Sequence, residues 1–327
     1  MALYEANNLR MMQHMNENRF IISHSMASGL DVIGDRWALL ILRDAFLGRS
    51  RFEEFRQYTG ASKTTLTRRL SSLLNADVLY KRSYSSSGTR FDYKLTEKGA
   101  GLFFASLLCW QWESEWTEKG AEELPARLFH RKCGHVMEPR AVCHHCREEF
   151  HFGDVKWSQR TVLLDHQLQD IQSFNKRRVR SSAPNDQQDF SLSQVSDLIG
   201  DRWTLLILIA SFFGLNRYDE YVKKLKIASN ILVDRLNLLI HEEVMTRHQY
   251  QENPPRSEYH LTQKGKSLYL LVMSIRQWAI DWLPQPQTSE QLIHADCDHA
   301  LVVDVVCRHC GDIPIISDVD FVNLSES

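Results

Sequence analysis

The sequence predicts an α+β chain, mainly helical with small β wings, in which one domain occurs twice in tandem and each copy is followed by a small Cys/His hairpin. Three observations predict this: a long internal duplication, the same order of helical and strand patterns in each copy, and two cysteine–histidine clusters of identical internal spacing. Gly34-Asp35-Arg36-Trp37 returns as Gly200-Asp201-Arg202-Trp203, an offset of 200 − 34 = 166 residues. The offset holds through Gly48 and Gly214, Arg69 and Arg235, Thr96 and Thr262, and Trp112 and Trp278. Repeats of solenoid proteins run at about 20–50 residues, so a period this long doubles a whole domain.

At 327 residues the chain suits two domains of ordinary size, each able to bury a core. No uncharged apolar run approaches the ~20 residues that cross a bilayer. Met1-Ala2-Leu3-Tyr4-Glu5 lacks the basic-then-apolar order of a leader, so a soluble cytoplasmic protein with no membrane partner is expected. A net charge of −2 argues against a polyanion-binding surface spread over the whole molecule. The distribution says more: residues 43–98 hold 12 Lys or Arg against 6 Asp or Glu, a local +6, whereas the matching residues 209–264 hold 8 against 7, or +1.

Taken in order, an N-terminal extension reads as helical over 9–22, and the first copy begins its pattern at Leu30. Asp35 stands at an N-cap position, and Trp37, Leu40, Ile41 and Ala45 then fall on one helical stripe over 36–46, ended by Gly48. Residues 51–58 fit a short helix with Phe52 and Phe55 inward, and Thr59-Gly60-Ala61 is a tight turn. Ser62 caps the next helix, to residue 74, with Leu66, Leu70, Leu73 and Leu74 on the core side and Lys63, Thr64, Thr67 and Arg68 opposite. Residues 78–84 and 91–96 alternate as strands around a Ser-Ser-Ser-Gly turn at 85–88. Helix, short helix, turn, helix and hairpin is the order of a winged helix-turn-helix. A long aromatic helix over 100–116 follows, matched by 268–282; its tryptophans exceed the needs of one small core, so burial against the other copy is expected, the alternative being each domain's own interior.

Six of the seven cysteines cluster behind these domains, while Cys109, alone in an apolar helix, reads as a small core residue. His130-x2-Cys133-x-His135-x7-Cys143-x2-Cys146 returns as His294-x2-Cys297-x-His299-x7-Cys307-x2-Cys310, although the offset has become 297 − 133 = 164. A Cys-x2-Cys turn aims two thiolates at one point, and His-x2-Cys makes the same three-residue step. The expectation is two structural zinc sites, one per copy: His130, Cys133, Cys143 and Cys146 in the first, His294, Cys297, Cys307 and Cys310 in the second, with His135 and His299 as substitute ligands or supporting groups. Reduced cysteine hairpins without metal are the alternative. Four protein ligands leave no place for a reactive water, and the His-x-Glu with Pro-Cys-x-x-Cys pattern of zinc deaminases is missing, so no enzyme is expected.

The expected boundaries are 1–23 for the extension, 24–122 and 190–287 for the winged domains, 125–155 and 290–327 for the hairpins, and 156–189 for a linker. Within the linker, 161–174 reads as a short helix and 175–185 as a basic tether.

Each copy resembles the HxlR-type winged-helix transcription regulators, relatives of the MarR group. The resemblance rests on residues 30–43, the Arg51-Phe52 and Phe55 spacing, Leu66-Thr67-Arg68-Arg69-Leu70 and Tyr93-Lys94-Leu95-Thr96-Glu97-Lys98-Gly99, with counterparts at 197–203 and 259–265, over roughly 100 residues per copy. It implies DNA binding and a two-winged arrangement that such proteins usually reach by homodimerising. Many members begin the domain with Cys-Pro, a thiol that senses oxidants in some of them; here His24-Ser25 and Phe190-Ser191 stand instead, so thiol sensing at that site is not expected.

A helix lying in the major groove offers its N-terminal residues to base edges while neighbouring cations hold phosphates. Lys63, Thr64, Thr67 and Arg68 are therefore the expected base-reading residues, with Arg51, Lys81, Arg82 and Arg90 as phosphate or wing contacts. The second copy offers Ser229, Asn230, Val233 and Asp234 on its equivalent helix, with Arg217 and Arg256 beside it, a poorer set. The expected function is a regulator of transcription on double-stranded DNA, one chain imitating a dimer; monomeric pseudo-dimer and homodimer both stay open, as does a small effector. A protein-interaction module using the winged and hairpin faces is the alternative from another class.

Overall fold

The structure, a computed structural model, describes residues 24–83, 90–117, 127–157, 193–284 and 292–322. The helix expected at 9–22, the wing turn at 85–88 and the linker segments 161–174 and 175–185 lie outside the described residues.

The first copy runs α1 (His24–Ile33), α2 (Arg36–Phe46), α3 (Phe52–Thr59), α4 (Lys63–Asn75), β1 (Leu79–Ser83), β2 (Phe91–Leu95), α5 (Glu97–Ala100) and α6 (Phe103–Trp116). The first Cys/His segment supplies β3 (Arg127–His130), β4 (His135–Val136), β5 (Pro139–Cys143) and β6 (Val155–Trp157). The second copy runs α7 (Ser193–Ile199), α8 (Arg202–Phe212), α9 (Tyr218–Leu225), α10 (Ser229–His241), β7 (Met245–Gln251), β8 (Arg256–Leu261) and α11 (Gln263–Trp282), followed by β9 (Leu292–His294), β10 (Val303–Cys307) and β11 (Val319–Val322). Residues 156 and 157, assigned to the linker on sequence grounds, are thus strand.

Local chemistry explains these boundaries. The Asp35 carboxylate accepts from the backbone N–H groups of Trp37 and Ala38, and Asp201 does the same for Thr204. Gly60 ends α3 in the left-handed region at φ 68°, which a residue without Cβ adopts at little cost. Ser62 caps α4 through the N–H of Thr65. Thr96 and Thr262 accept from Gly99 and Gly265, and a Cβ on either glycine would collide with the carbonyl of Val78 or Val244, fixing the wing to the following helix.

The helix expected over 100–116 is corrected: the chain turns at Gly101 and Leu102 between α5 and α6. The Trp282 indole occupies the space that a Cβ on Gly101 would need, so residue 101 must be glycine, the weakest helix former after proline. The equivalent residue in the second copy is Ser267, and α11 continues unbroken through it.

The copies pack on each other by paired contacts. Trp112 Nε1 donates to the Lys264 carbonyl at 3.2 Å, and Trp278 Nε1 donates to the Lys98 carbonyl at 2.8 Å. These are the same contact made in both directions, since 112 + 166 = 278 and 98 + 166 = 264. Both tryptophans are buried, as expected of a surface shared between the copies. Gly200 sits against the backbone of Arg36, and the Arg36 guanidinium pairs with Asp197, so the repeated Gly-Asp-Arg-Trp segments meet each other.

The Cys/His segments also interlock. β5 and β10 pair antiparallel with Ala141 opposite Val305, a residue facing its own counterpart, since 141 + 164 = 305. β3 pairs with β11, Val319 opposite His130, and β6 pairs with β9, Val155 opposite His294, again one pairing made twice. Each segment therefore lends its last strand to the other copy.

Candidate nucleic-acid interface and the Cys/His clusters

On α4, Leu66, Leu70 and Leu73 are buried, while Lys63, Thr64, Thr67 and Arg68 are exposed along the opposite side. Arg69, between the two faces, reaches back to Asp35, its NH2 group 2.6 Å from the carboxylate. Burial pushes the Asp35 carboxyl above its usual range despite the attraction of Arg69 and the N–H donors. The second copy repeats the tie as a two-bond fork from Arg235 to Asp201, at 2.8 and 3.0 Å. One aspartate therefore caps the second helix of each domain and anchors the exposed helix, a role that spacing alone did not reveal for Arg69 or Arg235.

Lys81, Arg82 and Arg90 are exposed on the wing, with the Lys81 ammonium 3.8 Å from the Phe91 ring centre. Arg51 is exposed at the start of α3, its Nε 4.0 Å from Asp92. Arg217, its counterpart, bonds Glu258 at 2.9 Å and lies over Tyr250; that hydrogen bond raises the arginine and lowers the Glu258 carboxyl relative to their ordinary values. Ser229, Asn230, Val233 and Asp234 are exposed on α10, and Arg256 is exposed on the wing. The second copy thus presents an apolar and an acidic residue where the first presents a hydroxyl and a cation.

The eight cysteine and histidine residues expected to ligate metal do gather into two groups of four, but the grouping expected from the sequence is corrected. His130 and Cys133 meet Cys307 and Cys310, whereas Cys143 and Cys146 meet His294 and Cys297. The cause is the β5–β10 register: Cys143 lies opposite Val303 and Cys307 opposite Pro139, so each Cys-x2-Cys turn is carried to the His-x2-Cys turn of the other copy. Backbone bonds from His144 to Val302 and from Arg308 to Glu138 hold this exchange at both ends, at 2.8 and 2.9 Å. His135 and His299 stay outside the groups. Their rings stack on His309 and His145 at centre distances of 3.4 and 3.3 Å.

At the junction of the copies, an apolar cavity is lined by Leu42, Phe46, Ala105 and Cys109 of the first and by Ile199 and Ile275 of the second. Cys109, expected as a small core residue, is partly buried against the core, and burial drives its thiol above its usual range.

A helix-turn-helix with a two-stranded wing, built twice and with one face of its fourth helix exposed, defines the class. The profile described as HxlR-like helix-turn-helix matches residues 32–121 and 198–287, and the chain belongs to that family, one of transcriptional regulators rather than enzymes. An uncharacterised HTH-type transcriptional regulator of Mycobacterium tuberculosis (strain ATCC 25618 / H37Rv) is 39% identical over 125 residues, 38% of this chain and 78% of the relative. Another, YvaP of Bacillus subtilis (strain 168), is 35% identical over 88 residues, 27% of this chain and 82% of its own length. Among solved structures, the candidate transcription factor PA1607 is 33% identical with a TM-score of 0.35, covering 42% of this chain and 93% of that one.

Proposed function

We propose that the chain is a transcriptional regulator of the cytoplasm that binds double-stranded DNA with both winged helices of one polypeptide, an intrachain pseudo-dimer. The observation that carries this reading is the outward ridge of Lys63, Thr64, Thr67 and Arg68 on α4, held at a fixed angle by the Asp35–Arg69 pair. Its length and polarity suit major-groove readout, with Arg51, Lys81, Arg82 and Arg90 on phosphates. The paired contacts of Trp112 and Trp278 support the pseudo-dimer, because the two copies make the same contact with each other in both directions, as the two halves of a two-fold interface do. Ser229, Asn230, Arg217 and Arg256 form the weaker half: Asn230 can read adenine, whereas Asp234 repels phosphate. The Cys/His groups belong to this reading as two structural zinc sites without an open coordination position.

The test is a salt titration of binding to a duplex selected from random DNA, by Arg68→Glu and, separately, Arg256→Glu. Arg256→Glu takes one cation from a phosphate and should reduce the slope of log affinity against log salt by about 0.9, whereas Arg68→Glu removes a base-edge contact. The Arg68 change is expected to weaken binding far more; equal weakening by both would remove the asymmetry. Failure of any duplex to bind at low salt would favour the protein-interaction reading, which the exposed Val233 and Asp234 keep open.

A further inference from the structure

The four turns that carry the clustered residues are built alike. The N–H of the residue after each pair returns to the first residue of the pair: Gly134 to His130, Arg147 to Cys143, Asp298 to His294 and Gly311 to Cys307, at 2.8–2.9 Å. All four of those residues have positive φ, between 57° and 75°. The bend points both side chains of a pair to one side, where the pair from the other copy completes the group.

Within the first group, His130 Nδ1 lies 3.3 Å from Cys133 Sγ and 3.5 Å from Cys310 Sγ. Within the second, His294 Nδ1 lies 3.4 Å from both Cys146 and Cys297, and Cys143 Sγ lies 3.9 Å from Cys297 Sγ. A tetrahedral zinc ion, bound at about 2.3 Å to sulfur and about 2.0–2.1 Å to nitrogen, sets its ligand atoms about 3.6–3.8 Å apart. Both histidines are fully buried with Nδ1 turned to the thiols, while the Nε2 of His294, on the far side of the ring, lies 3.9 Å from the Asp296 carboxylate. Thiols are weak hydrogen-bond donors and give little return for gathering three around a buried imidazole. A cation with four ligands accounts for the arrangement.

We propose that the chain binds two zinc ions as interlocked staples, each taking two ligands from each copy, and that zinc loading fixes the two winged helices relative to one another. The DNA consequence rests on the function proposed above, but the metal assignment does not. Within a single copy, four ligands could close a site without touching the other half. Here each ion joins residues far apart in sequence, His130 with Cys310 across 180 positions and Cys146 with His294 across 148, so losing either ion cuts a tie between the copies.

The decisive experiment counts zinc in the purified full chain and in two double variants, with cobalt replacement as an optical probe of thiolate ligation. Wild type should hold two ions. Cys133→Ser with Cys310→Ser damages one shared site and should retain one ion. Cys133→Ser with Cys146→Ser damages both and should retain none tightly. The opposite order, one ion with the second pair and none with the first, would overturn the exchange and restore one site per copy. No metal in wild type, with the thiols free or joined as disulfides, would overturn the assignment altogether. Circular dichroism checks that each variant keeps its helices; one that unfolds is replaced by its counterpart, Cys133→Ser with Cys307→Ser for the pair expected to keep one ion and Cys133→Ser with Cys143→Ser for the pair expected to keep none. If the metal counts hold but zinc removal leaves affinity for a two-half-site duplex unchanged within twofold, the staple role fails while the sites stand.

Discussion

Asp35 and Asp201 each perform two tasks with one carboxylate: closing the N-terminus of a helix and anchoring the arginine that steadies the exposed helix. Replacement of Asp35 by Ala should cost about 2–4 kcal/mol, because it removes a cap and leaves Arg69 partly buried without its carboxylate. Asn at the same position can still accept the cap bonds and should lose roughly half as much. Equal destabilisation by the two in chemical denaturation would refute the division. A second carboxylate acts between the copies: Glu113 on α6 accepts from the N–H groups of Gln194 and Val195 at the start of α7. Burial holds its carboxyl above the usual range, outweighing those two donors. The folded chain therefore keeps this proton more readily than the unfolded one. Its contribution to stability is full below the unfolded carboxylate pKa and declines as pH rises through the raised value. Glu113→Gln should flatten the fall of Tm with rising pH across the weakly acidic range; an unchanged profile would show that Glu113 titrates normally. Of these roles, the Asp35 cap was legible from its place before an apolar stripe. The Glu113 contact was not, since its equivalent in the second copy is Ala279 and nothing local marks a glutamate as reaching residues 81 and 82 positions away.

At the level of elements, a constant offset made one copy a guide to the other, and the helices, caps and wing strands could be placed from stripes and turn residues. What pattern did not show was the break between α5 and α6 at Gly101, where the Trp282 ring of the other copy leaves no room for a Cβ. The contrast between α4 and α10 also survives in three dimensions: Thr67 and Arg68 are replaced by exposed Val233 and Asp234. If α10 faces DNA, Asp234 opposes the phosphate field, and Asp234→Arg should raise affinity for a two-half-site duplex about tenfold at low salt, with a steeper salt dependence. An affinity and slope equal to wild type would place α10 away from the backbone and leave the first copy to bind alone.

The whole molecule is set by exchange. Spacing identified all eight clustered residues, because two ligands three positions apart read the same whichever partners complete the group. For the same reason spacing could not say which pair meets which: that depends on β5 pairing with β10 across the copies, where even the nearest partners, Cys143 and Val303, are 303 − 143 = 160 positions apart. The exchange predicts what a cut would do. With a protease site inserted among residues 175–185 and the purified chain cleaved there, the halves are expected to elute as one particle. Separation would strip β3, β5 and β6 of the partners β11, β10 and β9, leaving unpaired strand edges in both halves. It would also uncover Trp112 and Trp278, each buried and bonded to the other copy's backbone. Burial of two indoles alone opposes this by several kcal/mol, at about 25 cal/mol for each Å² of apolar surface kept from water. Size-exclusion chromatography of the cleaved chain at micromolar concentration checks it: two half-sized species under native conditions would mean that the covalent connection alone, rather than strand exchange and the shared core, holds the copies together.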